Sequence, residues 1–357
     1  MKNKILIDAE RTRYLSGISV ICRNLINGLH QLQNKNFEFL VYADENKFQE
    51  RYIFKKWKFW HKFFHIGLGA YDLVHIFHQA NDYFPSKLKA KKIVTLHDLN
   101  FLHENLSDKK INKNIRKVQQ TLNNADGIIC ISNFVKKDFL EKKHLLNINS
   151  NPKIKVIYNG LIFPDSRNFD LGKYSFIKEI KYILNIGVLF DKKNQLSLVE
   201  MLPFIEEDLV LIASGEKEPY ATVVRKRIKE LNLENRVHFL KNISEEEKYA
   251  LIQNCESMCH PSIAEGFGIP PIEAMAFGKP VFLSTFTSLP EIGGDCAFYF
   301  EDFNPKKMAD FYNERMKFYN ENNEKLIPKI KNWTLQFDYL VMSKNYLDFY
   351  EKILSEN

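Results

Sequence analysis

Two glutamates, Glu265 and Glu273, stand eight positions apart in the stretch HPSIAEGFGIPPIEAMAFGKPVFLSTFTSLPE, residues 260–291. Between them lies Gly266-Phe267-Gly268, a turn whose backbone can approach a ligand closely because glycine has no Cβ. Amides of such a turn, aimed along a helix N-terminus, form a ready anion site. Pro270 and Pro271 suit a first helical turn, where no amide hydrogen is needed. Residues 272–277 carry the helix, Gly278 caps it, Pro280 stops it, and residues 281–283 read as a buried parallel strand. Glu265 then falls in the loop and Glu273 in the first helical turn. Singly, each acid has an ordinary reading: a solvated loop acid for Glu265, a helix-dipole partner for Glu273.

A basic pair forms the second cluster. The apolar run 182–186 is followed by Gly187 and then by Lys192, Lys193 and Asn194 before the next helix. Lysine supplies point charge and the helix start supplies amides, which suits a phosphate. Adjacent surface lysines are common, so the pair alone is weak. His97 ends the apolar run 92–96, where a polar side chain points into the ligand crevice of an α/β sheet. A satisfied structural histidine is the other reading. Gly17-Ile18 opens a helix whose apolar face carries Ile18, Ile21, Leu25, Leu29 and Leu32. An ordinary helix start and a backbone contact to ligand are both open there. The pairs His61/His65 and His75/His78 have metal-like spacing without an acidic or cysteine partner, so no metal site is assigned.

The rhythm of the chain supplies the scaffold for these residues. Short apolar runs at 4–8, 37–42, 73–77, 92–96, 127–131 and 153–158 alternate with helical patterns at 17–32, 110–124 and 132–143. The alternation restarts at residue 182, after a polar, breaker-rich stretch at 164–172. This predicts an α/β protein of two doubly wound domains, 1–165 and 166–335, with a last helix in 336–357. The 357 residues, 45% hydrophobic and 27% charged, suit two globular cores. Five scattered cysteines predict free thiols in a reducing compartment. The N-terminal apolar run is too short for a signal peptide and no run is long enough to span a bilayer, so a cytoplasmic location is expected.

The net charge of +7 admits nucleic acid, an anionic membrane or a phosphorylated substrate as partner. No nucleic-acid-binding module is recognisable, so nucleic acid is not expected. Residues 47–66 interleave Arg51, Lys55, Lys56, Lys58 and Lys62 with Phe54, Trp57, Phe59, Trp60, Phe63 and Phe64. Two readings stand level for them: a surface for anionic membrane, and a helix packed on its own domain with a solvated basic edge.

Taken together, the two glutamates, the glycine turn, the paired prolines and the Gly278-Lys-Pro280 stop resemble the E-x7-E signature of family-four glycosyltransferases. These are retaining, nucleotide-sugar-dependent enzymes. The likeness runs on through Ser288-Leu-Pro-Glu291 and Gly294-Asp-Cys-Ala297, and it covers nearly the whole chain. It implies a GT-B fold, two Rossmann-like domains facing across a cleft, with acceptor on the first and donor on the second. In the family the last helix crosses back to the first domain. By the resemblance, Glu265 contacts donor-sugar hydroxyls as a positioning and electrostatic residue, and Glu273 contacts the ribose. Gly266, Phe267 and Gly268 present amides to sugar and diphosphate, while Asn242 and Ile243 help cradle the base. Lys193 binds the diphosphate, and His97, in the Thr95-Leu-His-Asp98 turn, touches the donor sugar. Gly17 and Ile18 offer backbone to the donor phosphates or the acceptor. Many relatives place Arg directly after the glycine where this chain has Val188, so the second cation falls to Lys192.

The implied reaction is retaining transfer of a hexose from a GDP- or UDP-linked sugar to a glycan or polyprenyl-linked acceptor. Its setting is bacterial surface polysaccharide synthesis: O-antigen, capsule or lipopolysaccharide. Neither metal nor cofactor is expected, because lysines and amides can stabilise the leaving diphosphate, with the nucleotide sugar as co-substrate. A GT-B protein that binds nucleotide sugar without turnover is the alternative. A phosphorylase-like enzyme needs a far longer chain and a pyridoxal-bearing lysine.

Overall fold

The structure, a computed structural model, describes residues 2–14, 16–44, 53–63, 70–104, 106–165 and 167–356. The chain divides into two compact units, one of residues 1–162 with 337–357 and one of residues 163–336.

In the first unit the strands are β1 (Asn3–Asp8), β2 (Phe37–Ala43), β3 (Ile53–Lys56), β4 (Leu73–Ile76), β5 (Lys91–Leu96), β6 (Gly127–Cys130) and β7 (Lys153–Val156). They pair in parallel in the order β3-β2-β1-β4-β5-β6-β7. Ile5, Leu6, Val74, Ile93 and Ile128 are fully buried. A parallel sheet is covered on both faces, so its central strands read as unbroken apolar runs. The crossovers include α1 (Gly17–Gln31), α2 (Asp108–Leu122) and α3 (Asn133–Leu146).

Residues 53–63, the described part of the stretch 47–66, do not form the packed helix of the second reading. Residues 53–56 are an edge strand paired with β2, and Phe59–Lys62 form a single 3-10 turn. Ile53 and Phe54 favour extended backbone, and pairing with β2 decides the matter. Residues 47–52 and 64–66 lie outside the described residues.

The second unit repeats the winding. Its strands are β8 (Tyr182–Leu189), β9 (Asp208–Glu216), β10 (Val237–Leu240), β11 (Ser257–His260), β12 (Val281–Ser284) and β13 (Phe298–Phe300). Their order is β10-β9-β8-β11-β12-β13, all parallel. The helices are α4 (Gln195–Met201), α5 (Tyr220–Glu230), α6 (Glu245–Asn254), α7 (Ile269–Ala276), α8 (Leu289–Gly293) and α9 (Pro305–Thr334). Ser244 caps α6 reciprocally with Glu247, as the Ser-x-x-Glu spacing predicts. Separate apolar clusters cover the two faces of this sheet.

The last helix, α10 (Tyr339–Leu354), belongs to the first unit. Leu161 N–H donates to Phe337 O at 2.8 Å and Tyr339 N–H to Leu161 O at 3.1 Å. From α10, Tyr350 bonds His75 Nδ1 at 2.7 Å and Tyr346 bonds the Thr95 hydroxyl at 3.2 Å, while Thr95 also meets His75 Nε2 at 2.8 Å. Both nitrogens of His75 are therefore engaged in holding this helix, and burial pushes its pKa down to about 3.

Close approach sets the tolerance of this dock. A Cβ on Gly160 would lie 2.6 Å from Tyr339 Cα, a backbone atom. Gly160→Ala is therefore expected to destabilise the protein by about 1–3 kcal/mol, the usual cost of overpacking. Thermal melting is the check, and an unchanged midpoint would refute the dock.

Candidate functional site

The strand order of the second sheet reverses between β8 and β11, which lie side by side. In open α/β sheets ligands bind beyond the carboxyl ends of strands at such a switch point. The loops leaving these two strands carry Lys192, Lys193 and Glu265. After β8 the chain makes one 3-10 turn, with Lys193 N–H donating to Phe190 O at 2.8 Å and Asn194 N–H to Asp191 O at 3.0 Å. Asn194 holds φ +54°, a left-handed conformation that asparagine tolerates, and α4 begins after it. The Lys192 carbonyl joins the loops, accepting from Ile263 N–H at 2.8 Å and from the Ser262 hydroxyl at 2.9 Å.

Glu265 is the centre of this arrangement. Its side chain is 13% exposed, and one oxygen, Oε1, accepts from both Lys193 Nζ and His260 Nε2, the latter at 2.8 Å. Burial alone would raise its pKa; the Lys193 charge and the His260 hydrogen bond outweigh burial and hold the carboxyl well below its usual range. Among the described residues, Oε2 accepts no hydrogen bond. The backbone is tied as well: Glu265 N–H donates to Thr287 Oγ1 at 3.0 Å, and the Ser288 hydroxyl bridges Glu265 O and Phe267 O at 3.1 and 2.8 Å.

Gly268 shows why the turn needs glycine. Its φ is +113°, and a Cβ there would sit 2.9 Å from Leu289 Cδ2. The next residue opens α7, three positions earlier than residue 272. Glu273 consequently stands one turn inside the helix, and its placement in the first turn is corrected. It meets Lys248 of α6 at 2.7 Å, and Lys248 also reaches Glu245 at 3.0 Å. Burial raises the Glu273 pKa against the pull of Lys248, while Glu273 holds Lys248 above its own ordinary value despite burial.

The remaining residues singled out by sequence are more dispersed. Asn242 is exposed with φ +54°, and Ile243 packs half-buried on the core. Gly17, Ile18 and His97 belong to the first unit. Gly17 opens α1, capped by Ser16, whose hydroxyl accepts from Ser19 N–H at 3.3 Å. His97 is buried; its Nε2–H donates to Phe77 O at 2.8 Å, its ring stacks on His78, and burial pushes its pKa down to about 4.

Sequence reasoning missed several residues. His260, Lys248 and Thr287 were not singled out, and Ser288 was noted only as part of a motif; all touch the two glutamates or the turn between them. At the switch point of the first sheet, between β1 and β4, it missed Asp8 and Arg11. Asp8 accepts from Asn81 Nδ2 at 2.6 Å, and burial, reinforced by Glu10, pushes its pKa up to about 7. Arg11 donates to Ala80 O at 3.0 Å beside His78. The rule that drew attention to His97, a polar residue ending a strand, applies equally to Asp8 and His260.

Two parallel-sheet Rossmann-like units make up a GT-B fold. Residues 15–162 match the family described as Glycosyltransferase Family 4, and residues 166–333 match Glycosyl transferases group 1. The chain belongs to this family of glycosyltransferases. It is similar to the O-antigen chain mannosyltransferase RfbU of Salmonella typhimurium, 32% identical over a stretch covering 46% of this chain and 43% of that protein. Likeness to O-antigen chain mannosyltransferase B of Escherichia coli is 26%, over 62% of this chain and 60% of that one. The chain thus spans about half the length of the curated relatives it matches. Among solved structures, Anabaena HepE in complex with UDP-glucose shares the fold with a TM-score of 0.74 at 18% identity, over 98% of this chain and 100% of that chain.

The ion pair generates a pH-dependent prediction. Because the folded-state pKa of Glu265 is lowered, its contribution to stability is fully present above the unfolded value of 4.5 and is lost as pH falls through the folded value. Lys193→Met should lower stability at neutral pH by about 1.5–3 kcal/mol, the scale of a hydrogen bond to a charged group. In melts from pH 3 to 8 the deficit should shrink as the carboxyl protonates; a pH-independent deficit would count against the pair.

Proposed function

We propose that this protein is a retaining, metal-independent glycosyltransferase that moves a hexose from a GDP- or UDP-linked sugar to a glycan or polyprenyl-linked acceptor of a bacterial surface polysaccharide. The observation that carries the reading is the convergence of Lys193 and Glu265 at the β8/β11 switch point, beside the Gly266–Gly268 turn into α7. The names of the two mannosyltransferase relatives support O-antigen chemistry and make mannose the first hexose to test. The UDP-glucose complex of HepE supports a nucleotide-sugar donor.

Breaking the anomeric bond builds negative charge on the leaving diphosphate. Lys192, Lys193 and the turn amides supply the compensating positive potential. Glu265 stays ionised, orients the sugar through its hydroxyls and stabilises positive charge growing at the anomeric centre. Glu273 accepts from the ribose hydroxyls as a ground-state contact. The leaving phosphate takes the acceptor proton on the face it leaves.

Different signatures follow for the two acids. Glu265→Gln keeps shape but removes charge, so turnover should fall strongly, about 100-fold or more, with affinity for the bare nucleotide diphosphate nearly intact. Glu273→Gln should weaken nucleotide binding itself, by about 1.5–3 kcal/mol. Nucleotide release and calorimetry with GDP and UDP separate them; equal losses of affinity would dissolve the division, and binding without turnover would leave a nucleotide-sugar-binding protein.

No described helix is long and apolar enough to cross a membrane. Phe59, Trp60 and Phe63 are nevertheless 59%, 41% and 65% exposed, with Lys62 over the Phe59 and Phe63 rings and Lys58 over Trp60. Exposed rings beside ammonium groups suit a bilayer interface with anionic headgroups, and this surface is where a polyprenyl-linked acceptor would be met. Lys58→Glu with Lys62→Glu should weaken binding to phosphatidylglycerol vesicles about tenfold or more, and salt should do likewise. Vesicle binding that is absent in low salt would remove the membrane from the account.

A further inference from the structure

His260 is the residue of this site that neither the sequence motif nor the donor chemistry accounts for. It ends β11, a central strand paired on both sides, and its register partner on β12 is Leu283. The imidazole is 1% exposed. A carboxylate only accepts, so the 2.8 Å contact makes His260 Nε2 the donor to Glu265 Oε1. Among the described residues the other nitrogen, Nδ1, is buried without a hydrogen-bond partner. In the Nε2–H tautomer that position holds only a lone pair and needs no partner. The proton on Nε2 therefore points at Glu265.

Two donors on one carboxylate oxygen look redundant until a diphosphate enters. Lys193 Nζ is the cation on that oxygen, and it is also the cation a diphosphate would attract. Once Lys193 is drawn to phosphate, Glu265 loses its counter-charge while remaining largely buried. A buried carboxylate without a partner takes up a proton or moves toward water. His260 stands at the end of a strand paired on both sides, and its Nε2–H is already given to Glu265.

Resting on the transferase reading, we propose that His260 is the positioning residue for Glu265, holding Oε1 through Nε2–H while Lys193 serves the diphosphate. The carboxylate then stays in place with Oε2 open to a sugar hydroxyl. Lys193 moves between partners, Glu265 stays charged, and His260 does not let go.

The test uses two substitutions in the full chain, His260→Phe and His260→Gln. Phenylalanine fills the space without a donor; glutamine can place an amide N–H close to where Nε2–H stood. With whichever GDP- or UDP-sugar the wild type turns over, His260→Phe should lower kcat about 10- to 100-fold, the scale of a displaced catalytic group, with donor KM little changed. Affinity for GDP or UDP, measured by calorimetry, should stay at the wild-type value, and His260→Gln should recover most of the kcat. Wild-type kcat in His260→Phe, or a Gln variant no better than Phe when both melt normally, overturns the proposal. A readout independent of activity guards against a misfolded Phe variant or an inactive wild type. The side-chain 15N spectrum at pH 8 should show His260 as the Nε2–H tautomer, with that proton shifting in Glu265→Gln. An Nδ1–H tautomer would overturn the assignment even if turnover behaved as expected. An inactive wild type with the Nε2–H tautomer present would sink the transferase reading and leave the His260–Glu265 contact standing.

Discussion

A buried carboxylate must be compensated, and the second unit is arranged around meeting that demand at Glu265. Taking the charge out of water costs several kcal/mol unless donors replace the lost solvent. Here one donor arrives on the loop after β8 and the other on the end of β11, and the two strands are neighbours only because the sheet order reverses between them. The winding of the sheet is thus a precondition for the charge, and the charge for the site.

The glycine turn and its helix obey the same constraint from the backbone side. Gly268 adopts a conformation closed to side chains, which lets α7 begin directly after the Glu265 loop. The Ser288 hydroxyl, just ahead of α8, then ties two carbonyls of the turn. Because Glu273 lies a turn further along α7, it meets Lys248 of α6 instead of the Lys193 cluster. Two acids in one short motif therefore have separate counter-charges, which is the physical ground for giving them separate roles.

Membership of the glycosyltransferase family accounts for the shape of both units, and the loop after β8 carries the cations of the second. With Val188 directly after Gly187, positive charge on the β8 loop rests on Lys192 and Lys193. A lysine on a flexible stem can pair with Glu265 and still reach a phosphate, a freedom the planar arginine fork has less of. The first unit shows the contrasting use of polar groups. His75, Thr95, Tyr346 and Tyr350 form a closed buried network that leaves no capacity for ligand and serves to dock α10.

Much of this was legible in the linear chain. The βα alternation, the glycine turn and the Ser244–Glu247 cap follow from local periodicity and turn chemistry, which act over a few residues, while Glu265, Glu273, Lys192 and Lys193 drew notice as candidates through the resemblance of their whole motif to a family. What only the tertiary structure decided are contacts between distant positions. Lys193 lies 72 residues before Glu265, and Lys248 lies 25 before Glu273. The edge strand at Ile53–Lys56 likewise depends on β2, since a short run of mixed basic and aromatic residues has no period of its own. His260 was invisible as a partner because a histidine ending an apolar strand looks the same in sequence whether it faces solvent, core or carboxylate. Burial and the placement of one proton are properties of the assembled site, and no local pattern carries them.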